Sequence, residues 1–435
     1  MKINKINEKS LSEAGIQISD LPNLNALKNQ TFQFEMNFGL PILPSAPGLI
    51  VVRGARQFGK STWLEGQLLK AAQKNGAGTT FYLNGDAIDT SKTLYQELLL
   101  LTDLMNSKNE NRIFIDEITS VKNWENAIKQ LWDEGHTRNT LIVTTGSNAK
   151  DLIRGTELLP GRKGKLARNN YIFIPISYNE FKKHIPKNME SNVAIATYLI
   201  SGGSPVAAAS LLSSGCIEPY VFQLVEDWIL GAVSLAGKQR ALALALFAKL
   251  YERGASPLSL TKIARETGAA NNTVVLSYLE IFIDILCLNR SFAFDLQESN
   301  ISFRKESKFH FVNLLAAATF AKNRLHKASD FLSLPEADQG IWLEWLVAQE
   351  LWRRKMKNGN SLESLIPFAK YGDKEIDFIS DTTCYECKRG QASAEEFEWF
   401  RRAFPQKELI VICSTPFSSG KIKGITLHDF LSQCE

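Results

Sequence analysis

Four consecutive apolar residues, Leu49–Val52, run into Arg53 and Gly54, and beyond the glycine apolar side chains return at helical spacing as Trp63, Leu64, Leu68 and Leu69. An unbroken apolar run bounded by a glycine reads as a strand buried on both faces, and the following period reads as an amphipathic helix. The alternation repeats. Thr80–Asn84, Ile113–Ile115 and Leu141–Thr145 have strand character, with helical stretches between them. Strands alternating with helices predict a doubly wound α/β domain with a parallel sheet, assigned to residues 46–182 after an N-terminal extension over 1–45. A helical appendage is expected over 183–240.

The pattern changes after Pro257. Leu258, Leu260, Ile263 and Ala264 fall on one helix face, and Gly268-Ala269-Ala270-Asn271-Asn272 breaks it. Thr273 is expected to cap a second helix carrying Val274, Val275, Tyr278, Leu279, Ile281 and Phe282. Helix, glycine-containing turn, helix is a helix-turn-helix, and the β-rich run Leu286–Phe294 supplies a wing, giving a winged helix over 241–300. The remaining residues, 301–435, offer an amphipathic helix, Gly340–Leu351, and two strands, Lys374–Ile379 and Cys384–Lys388.

A chain of 435 residues is too long for one core, so two to three domains are expected. Its 44% apolar and 22% charged residues are ordinary for a globular protein, and a net charge of +4 does not by itself imply a polyanion partner. The longest nearly charge-free stretch, Trp228–Ala236, stops at Gly237-Lys238-Gln239-Arg240, far short of the ~20 residues that span a bilayer. No apolar core of a signal peptide follows Met1–Lys5. Six dispersed cysteines point to a reducing compartment, so a cytoplasmic protein without membrane partners is expected. Cys384 and Cys387 have C-x-x-C spacing, but strand residues three apart face opposite sides and no second pair lies near.

The chemistry begins at Gly54-Ala55-Arg56-Gln57-Phe58-Gly59-Lys60-Ser61-Thr62, which spells G-x-x-x-x-G-K-[ST] directly after the first strand. In that context loop amides and a helix N-terminus converge on one anion, with Lys60 at the β- and γ-phosphates of ATP. The strand Ile113–Ile115 ends in Asp116 and Glu117. Asp116 is expected to hold Mg²⁺ through water opposite the Ser61 hydroxyl, and Glu117 to polarise the attacking water. Thr145 and Ser147, at the end of a neighbouring strand, are either γ-phosphate sensors or turn formers.

These residues, with Asn123-Trp124-Glu125 after Asp116-Glu117-Ile118, Leu159-Pro160-Gly161-Arg162, Ile174–Phe181 and Ser201-Gly202-Gly203-Ser204-Pro205, resemble one family. It comprises the bacterial and archaeal AAA-type ATPases with a C-terminal domain of unknown function. The likeness runs in order over roughly residues 48–412. It implies ATP and Mg²⁺ as ligands and a homo-oligomer as one assembly. In a stretch rich in Lys163, Lys165 and Arg168, Arg162 either reaches the γ-phosphate, in cis or from a neighbouring subunit, or braces the loop.

Asp377, then Glu386 and Lys388, resembles the D…E-x-K arrangement of a restriction-endonuclease-like fold. The strand period of two puts Glu386 and Lys388 on one face, a short hairpin brings Asp377 beside them, and a helical Glu344 completes the set. Two carboxylates there would bind a second Mg²⁺ or Mn²⁺ and the lysine would help to activate water. The competing reading is a charged, solvated hairpin. The second helix of the helix-turn-helix exposes Asn271, Asn272, Thr273, Ser277 and Glu280 rather than arginine or lysine, with Lys262, Arg265, Lys305 and Lys308 elsewhere as basic residues. The expected function is a Mg²⁺-dependent ATPase acting as a conformational switch, directed at DNA or RNA. The alternative is an ATP-dependent regulatory or oligomerising scaffold that recruits a protein partner and carries an inactive nuclease-like domain.

Overall fold

The computed structural model describes residues 3–56, 58–106, 110–147, 164, 166–359 and 366–433. The chain divides into two compact units, 1–174 with 356–359, and 175–355 with 360–435.

In the first unit the strands are β1 (Gly48–Gly54), β2 (Thr80–Asn84), β3 (Asn111–Asp116), β4 (Thr140–Gly146) and β5 (Asn170–Phe173). They form one parallel sheet in the order β2-β3-β4-β1-β5. Every position of β1 and β4 is buried, as expected of strands covered on both faces. Leu49, Val51, Ile113, Ile115 and Ile142 share a core with Leu94, Leu98 and Leu101 of the helix Ser91–Leu104 and with Trp124, Ile128 and Leu131 of the helix Trp124–Asp133. Strand residues two apart thus meet helix residues three and four apart, and each fully buried Leu or Ile contributes roughly 1.5–3 kcal/mol. The register pairs Val52 with Thr145 and Ile115 with Thr144. The carboxyl ends of β1, β3 and β4 therefore lie side by side.

The N-terminal segment closes the β2 edge. From the helix Lys5–Leu11, the Asn7 side chain donates to the Tyr82 carbonyl (2.9 Å) and accepts from the Tyr82 amide (2.7 Å). One buried side-chain amide thus replaces a neighbouring strand at an edge that would otherwise present unpaired groups. Further on, Glu65 of the Lys60–Asn75 helix accepts from the Asn23 side chain and the Leu24 amide, both at 2.7 Å.

The second unit begins with helices, among them Ser191–Ser201, Pro219–Leu235 and Arg240–Arg253. No helix among the described residues is long and apolar enough to cross a membrane. Leu260–Thr267 and Asn272–Asp284 follow, separated by Gly268 in the left-handed region (φ 73°). The cap of the second helix is Asn271, not Thr273: the Asn271 side chain accepts from the Val274 amide while Thr273 lies inside the first turn. Asn271 has the extended backbone that an N-cap requires, and its side-chain oxygen reaches a free amide of the first turn.

Strands β6 (Leu288–Asp295) and β7 (Asn300–Phe311) form an antiparallel pair, joined by β8 (Phe368–Tyr371) and β9 (Lys374–Ile376) in the order β7-β6-β8-β9. A second sheet contains β10 (Phe378–Ile379), β11 (Thr383–Cys387), β12 (Glu408–Ile412), β13 (Phe417–Ser419) and β14 (Ile422–Ile425), ordered β10-β11-β12-β14-β13. The continuous strand expected over Lys374–Ile379 is in fact two strands in different sheets, with Asp377 as the residue between them. The glutamate-bearing helix extends over Glu336–Lys357. Lys308, named above only as a basic residue beyond the helix-turn-helix, is buried on β7.

Candidate nucleotide site and C-terminal carboxylate cluster

The loop after β1 is shaped by close packing. A Cβ on Gly54 would lie 2.6 Å from the Phe173 Cβ, so only glycine lets β1 turn against β5. Gly59 adopts φ 94° and leads into the helix that starts at Lys60. Ala55 and Phe58 are buried, Arg56 is exposed, and Ser61 and Thr62 occupy the first helical turn. Gln57 and Arg162 lie outside the described residues.

The Lys60 ammonium donates to the Gly54 and Ala55 carbonyls, each at 2.9 Å. Burial lowers its pKa to about 8, against the pull of Glu117 and Asp116, which feel the same charge from the end of β3. Glu117 stands in the left-handed region (φ 48°, ψ 50°), a conformation that costs a non-glycine residue about 1 kcal/mol or more. Its backbone is clamped from both sides. The Glu117 amide donates to Thr145 Oγ1 (3.0 Å), and a Cβ on Gly85 would lie 2.4 Å from the Glu117 carbonyl oxygen.

The same Thr145 hydroxyl donates to Asp116. The Glu117 carboxylate accepts from the Ser147 amide (2.8 Å), the Ser147 hydroxyl (2.6 Å) and Thr119 Oγ1 (3.0 Å). Burial would raise its pKa, but Lys60 and these hydrogen bonds outweigh burial and hold it below the usual carboxylate range. Arg56 Nε in turn donates to Ser147 Oγ (3.3 Å). The structure thus brings Lys60, Asp116, Glu117, Thr145 and Ser147 together and adds Thr119, which sequence pattern did not single out. The combination can bind an anion, offer hard oxygen ligands and hold an ionised base at one sheet edge.

Residues 46–182 match the family model of an AAA domain. This segment has the AAA-type P-loop fold. An uncharacterised protein of Methanocaldococcus jannaschii is 23% identical over 356 residues, covering 76% of this chain and 71% of its own. Among solved structures, a Walker-type ATPase of Pyrococcus abyssi aligns with TM-score 0.43 and 13% identity over 62% of this chain and 90% of its own. A RuvB variant of Thermotoga maritima aligns with TM-score 0.30 and 15% identity over 56% and 82%. Both scores are too low to extend the likeness beyond the AAA domain.

In the second unit Asp377, Glu386, Lys388 and Glu344 also converge. The Asp377 amide approaches Glu386 Oε2 (3.3 Å), the Cys387 amide donates to Asp377 Oδ2 (2.9 Å), and Lys388 Nζ lies 2.7 Å from Glu386 Oε1. They line a polar pocket of about 560 Å³ together with Glu375 and Trp399. Burial beside Asp377 raises the Glu344 and Glu386 carboxyls to about 8 each, with Lys308 and Lys388 pulling the other way.

Three members of this cluster were not among the sequence candidates for it. Lys308 Nζ lies 3.1 Å from Glu344 Oε1, 2.5 Å from Glu375 Oε1 and 2.9 Å from Asp377 Oδ1. His310 Nε2 lies 3.1 Å from Glu344 Oε1, and burial together with Lys308 lowers the His310 pKa to about 3. The signal that could have found them is the period of two: Lys308 and His310 alternate with Phe309 and Phe311, as Glu375 and Asp377 alternate with Ile376. Ionisable side chains two residues apart that alternate with buried apolar ones point to a polar cluster on one face of the sheet. Among the described residues no group of three His, Cys, Asp or Glu side chains is arranged to hold a metal. The Lys308 ammonium stands against Glu344 and Asp377, two of the carboxylates expected to hold the second Mg²⁺ or Mn²⁺.

Proposed function

We propose that the chain is a Mg²⁺-dependent ATPase that works as a nucleic-acid-directed conformational switch. The observation that carries the reading is the network joining Asp116, Glu117, Thr145 and Ser147 beside Lys60. Lys60 would leave the Gly54 and Ala55 carbonyls for the β- and γ-phosphates, whose charge replaces those partners. Ser61 and Asp116 supply the hard oxygens that suit Mg²⁺, which when bound offsets phosphate charge. Glu117, held ionised, would take the proton of the attacking water once its hydrogen bonds to Ser147 and Thr119 are exchanged for that water. Thr145 ties Asp116 to the Glu117 backbone, so the γ-phosphate and the base are read through one strand end. Arg162 would contribute from this subunit or a neighbouring one in a homo-oligomer.

Residues 241–300 are read as a winged helix, supported by the two helices about Gly268 and the antiparallel β6–β7 pair. The pairing slips after Phe292, where Ser307 gives way to Ser302 across the strands, and Phe303, Arg304, Lys305 and Glu306 stand exposed. An exposed aromatic next to two cations suits stacking on a base with phosphate contacts. The C-terminal part is read as a restriction-endonuclease-like core, on the placement of Asp377 beside Glu386 and Lys388. Its internal ion pairs favour a non-cleaving form, in line with the scaffold alternative.

Glu117→Gln tests the proposal. ATP should remain bound while turnover falls by roughly 100-fold or more, the general-base contribution. The ATP-loaded variant should bind DNA at low salt and release it as salt rises. Unchanged turnover would refute the assignment of Glu117, and no binding at low salt would favour a protein partner.

A further inference from the structure

A restriction-endonuclease-like core holds its divalent cation between the carboxylates that here are Glu344, Asp377 and Glu386. In this chain a cation of its own already stands among them. The Lys308 side chain is 2% exposed, and its ammonium has three N–H donors for three carboxylates, Glu344, Glu375 and Asp377 at 3.1, 2.5 and 2.9 Å. Three further oxygens are also engaged: Asp377 Oδ2 by the Cys387 amide, Glu386 Oε1 by Lys388, and Glu386 Oε2 by the Asp377 amide. The Glu344 oxygen that meets Lys308 meets His310 as well. Mg²⁺ requires oxygens at about 2.0–2.1 Å in near-octahedral array. It could gain Glu344 and Asp377 only by displacing the ammonium, whose stem is buried and whose Nζ sits 5.5 Å from the Phe368 ring centroid.

We propose that the Lys308 ammonium permanently occupies the cation position of this cluster, so that the C-terminal domain holds its carboxylates without a divalent metal and does not cleave phosphodiesters by a metal-dependent route. Lys308 acts as a fixed counter-ion that ties β7, the Glu336–Lys357 helix and the β9–β10 junction together. This rests on the restriction-endonuclease-like reading given above.

The test is Mn²⁺ binding to nucleotide-free protein, followed by electron paramagnetic resonance, for the natural protein, Asp377→Asn, Lys308→Met and Lys308→Met/Asp377→Asn. Lys308→Met/Glu375→Gln serves as a second variant with less unpaired negative charge, in case the single substitution does not fold. The expected result is no Mn²⁺ site in the natural protein that depends on Asp377, and at least tenfold tighter binding in a Lys308→Met background, lost again with Asp377→Asn. Mn²⁺ bound by the natural protein, abolished by Asp377→Asn alone and unchanged by Lys308→Met, would overturn the proposal while leaving the nuclease-like reading intact. If no variant binds Mn²⁺, the carboxylates are not a latent metal site, and both fail.

Discussion

Lys60 carries a charge that the free protein resists and a phosphate would welcome. Its pKa is lowered to about 8 by burial, so the nucleotide-free protein loses stability as pH falls from the ordinary lysine value towards about 8, where the buried ammonium must form. A bound phosphate reverses the preference, because it favours the charged form. ATP should therefore bind with proton uptake near pH 8 and weaken as pH rises through that value. Calorimetry in two buffers of different ionisation heat measures the uptake; an affinity flat across that range, with no proton linkage, would contradict the placement of Lys60 at phosphate. The positions of Lys60, Asp116 and Glu117 were legible in the sequence because a strand end and a glycine loop are local patterns. Lys308 was not. Its burial depends on Asp377, 69 residues later in the chain, and a lysine met alone reads as surface.

At the level of elements, the turn after β2 sets the backbone at the end of β3. Gly85 opens the short 3₁₀ turn Gly85–Ala87 and backs onto the Glu117 carbonyl. Gly85→Ala should push that backbone aside and lower turnover by about 10- to 100-fold, the scale of a roughly 1 Å misplacement, while ATP affinity changes little. Gly66→Ala is the control, since its added methyl meets nothing within 4 Å on the Lys60–Asn75 helix; it should leave turnover alone and stabilise slightly. Steady-state kinetics with independent ATP binding separates the two, and equal effects would refute the argument. β1, β3 and β4 were readable from their apolar runs, since a strand buried on both faces needs no partner to be recognised. The division of Lys374–Ile379 between two sheets was not, because the alternation of side chains continues unbroken through Asp377 while the hydrogen-bond partners change. The Asn271 cap was missed by two residues for a related reason: asparagine, asparagine and threonine in succession all suit a helix start, and only backbone angles choose among them.

For the whole molecule, the division into two units has a thermal counterpart. Every residue assigned to the nucleotide belongs to the first unit. ATP at 100 times its Kd should stabilise that unit by about 2.7 kcal/mol. For a unit of this size that is a shift on the order of 5–10 °C. Scanning calorimetry of the Glu117→Gln protein should show one transition moving with ATP and another staying in place, and a single transition moving as a whole would rule this out. The ion cluster around Lys308 has a consequence of another kind, for the order in which the chain comes off a ribosome. Lys308 and its hairpin emerge before Glu344, and well before Glu375 and Asp377; Ala293 of β6 waits still longer for Phe368 of β8 than Lys308 waits for its last carboxylate. A chain cut short ahead of residue 375 would keep an ammonium with too few counter-charges in the place where its interior should close. Such a fragment would stay open to proteases even with the parallel sheet of its first unit formed, so premature ends of translation would be marked for disposal by the same lysine that seals the finished protein.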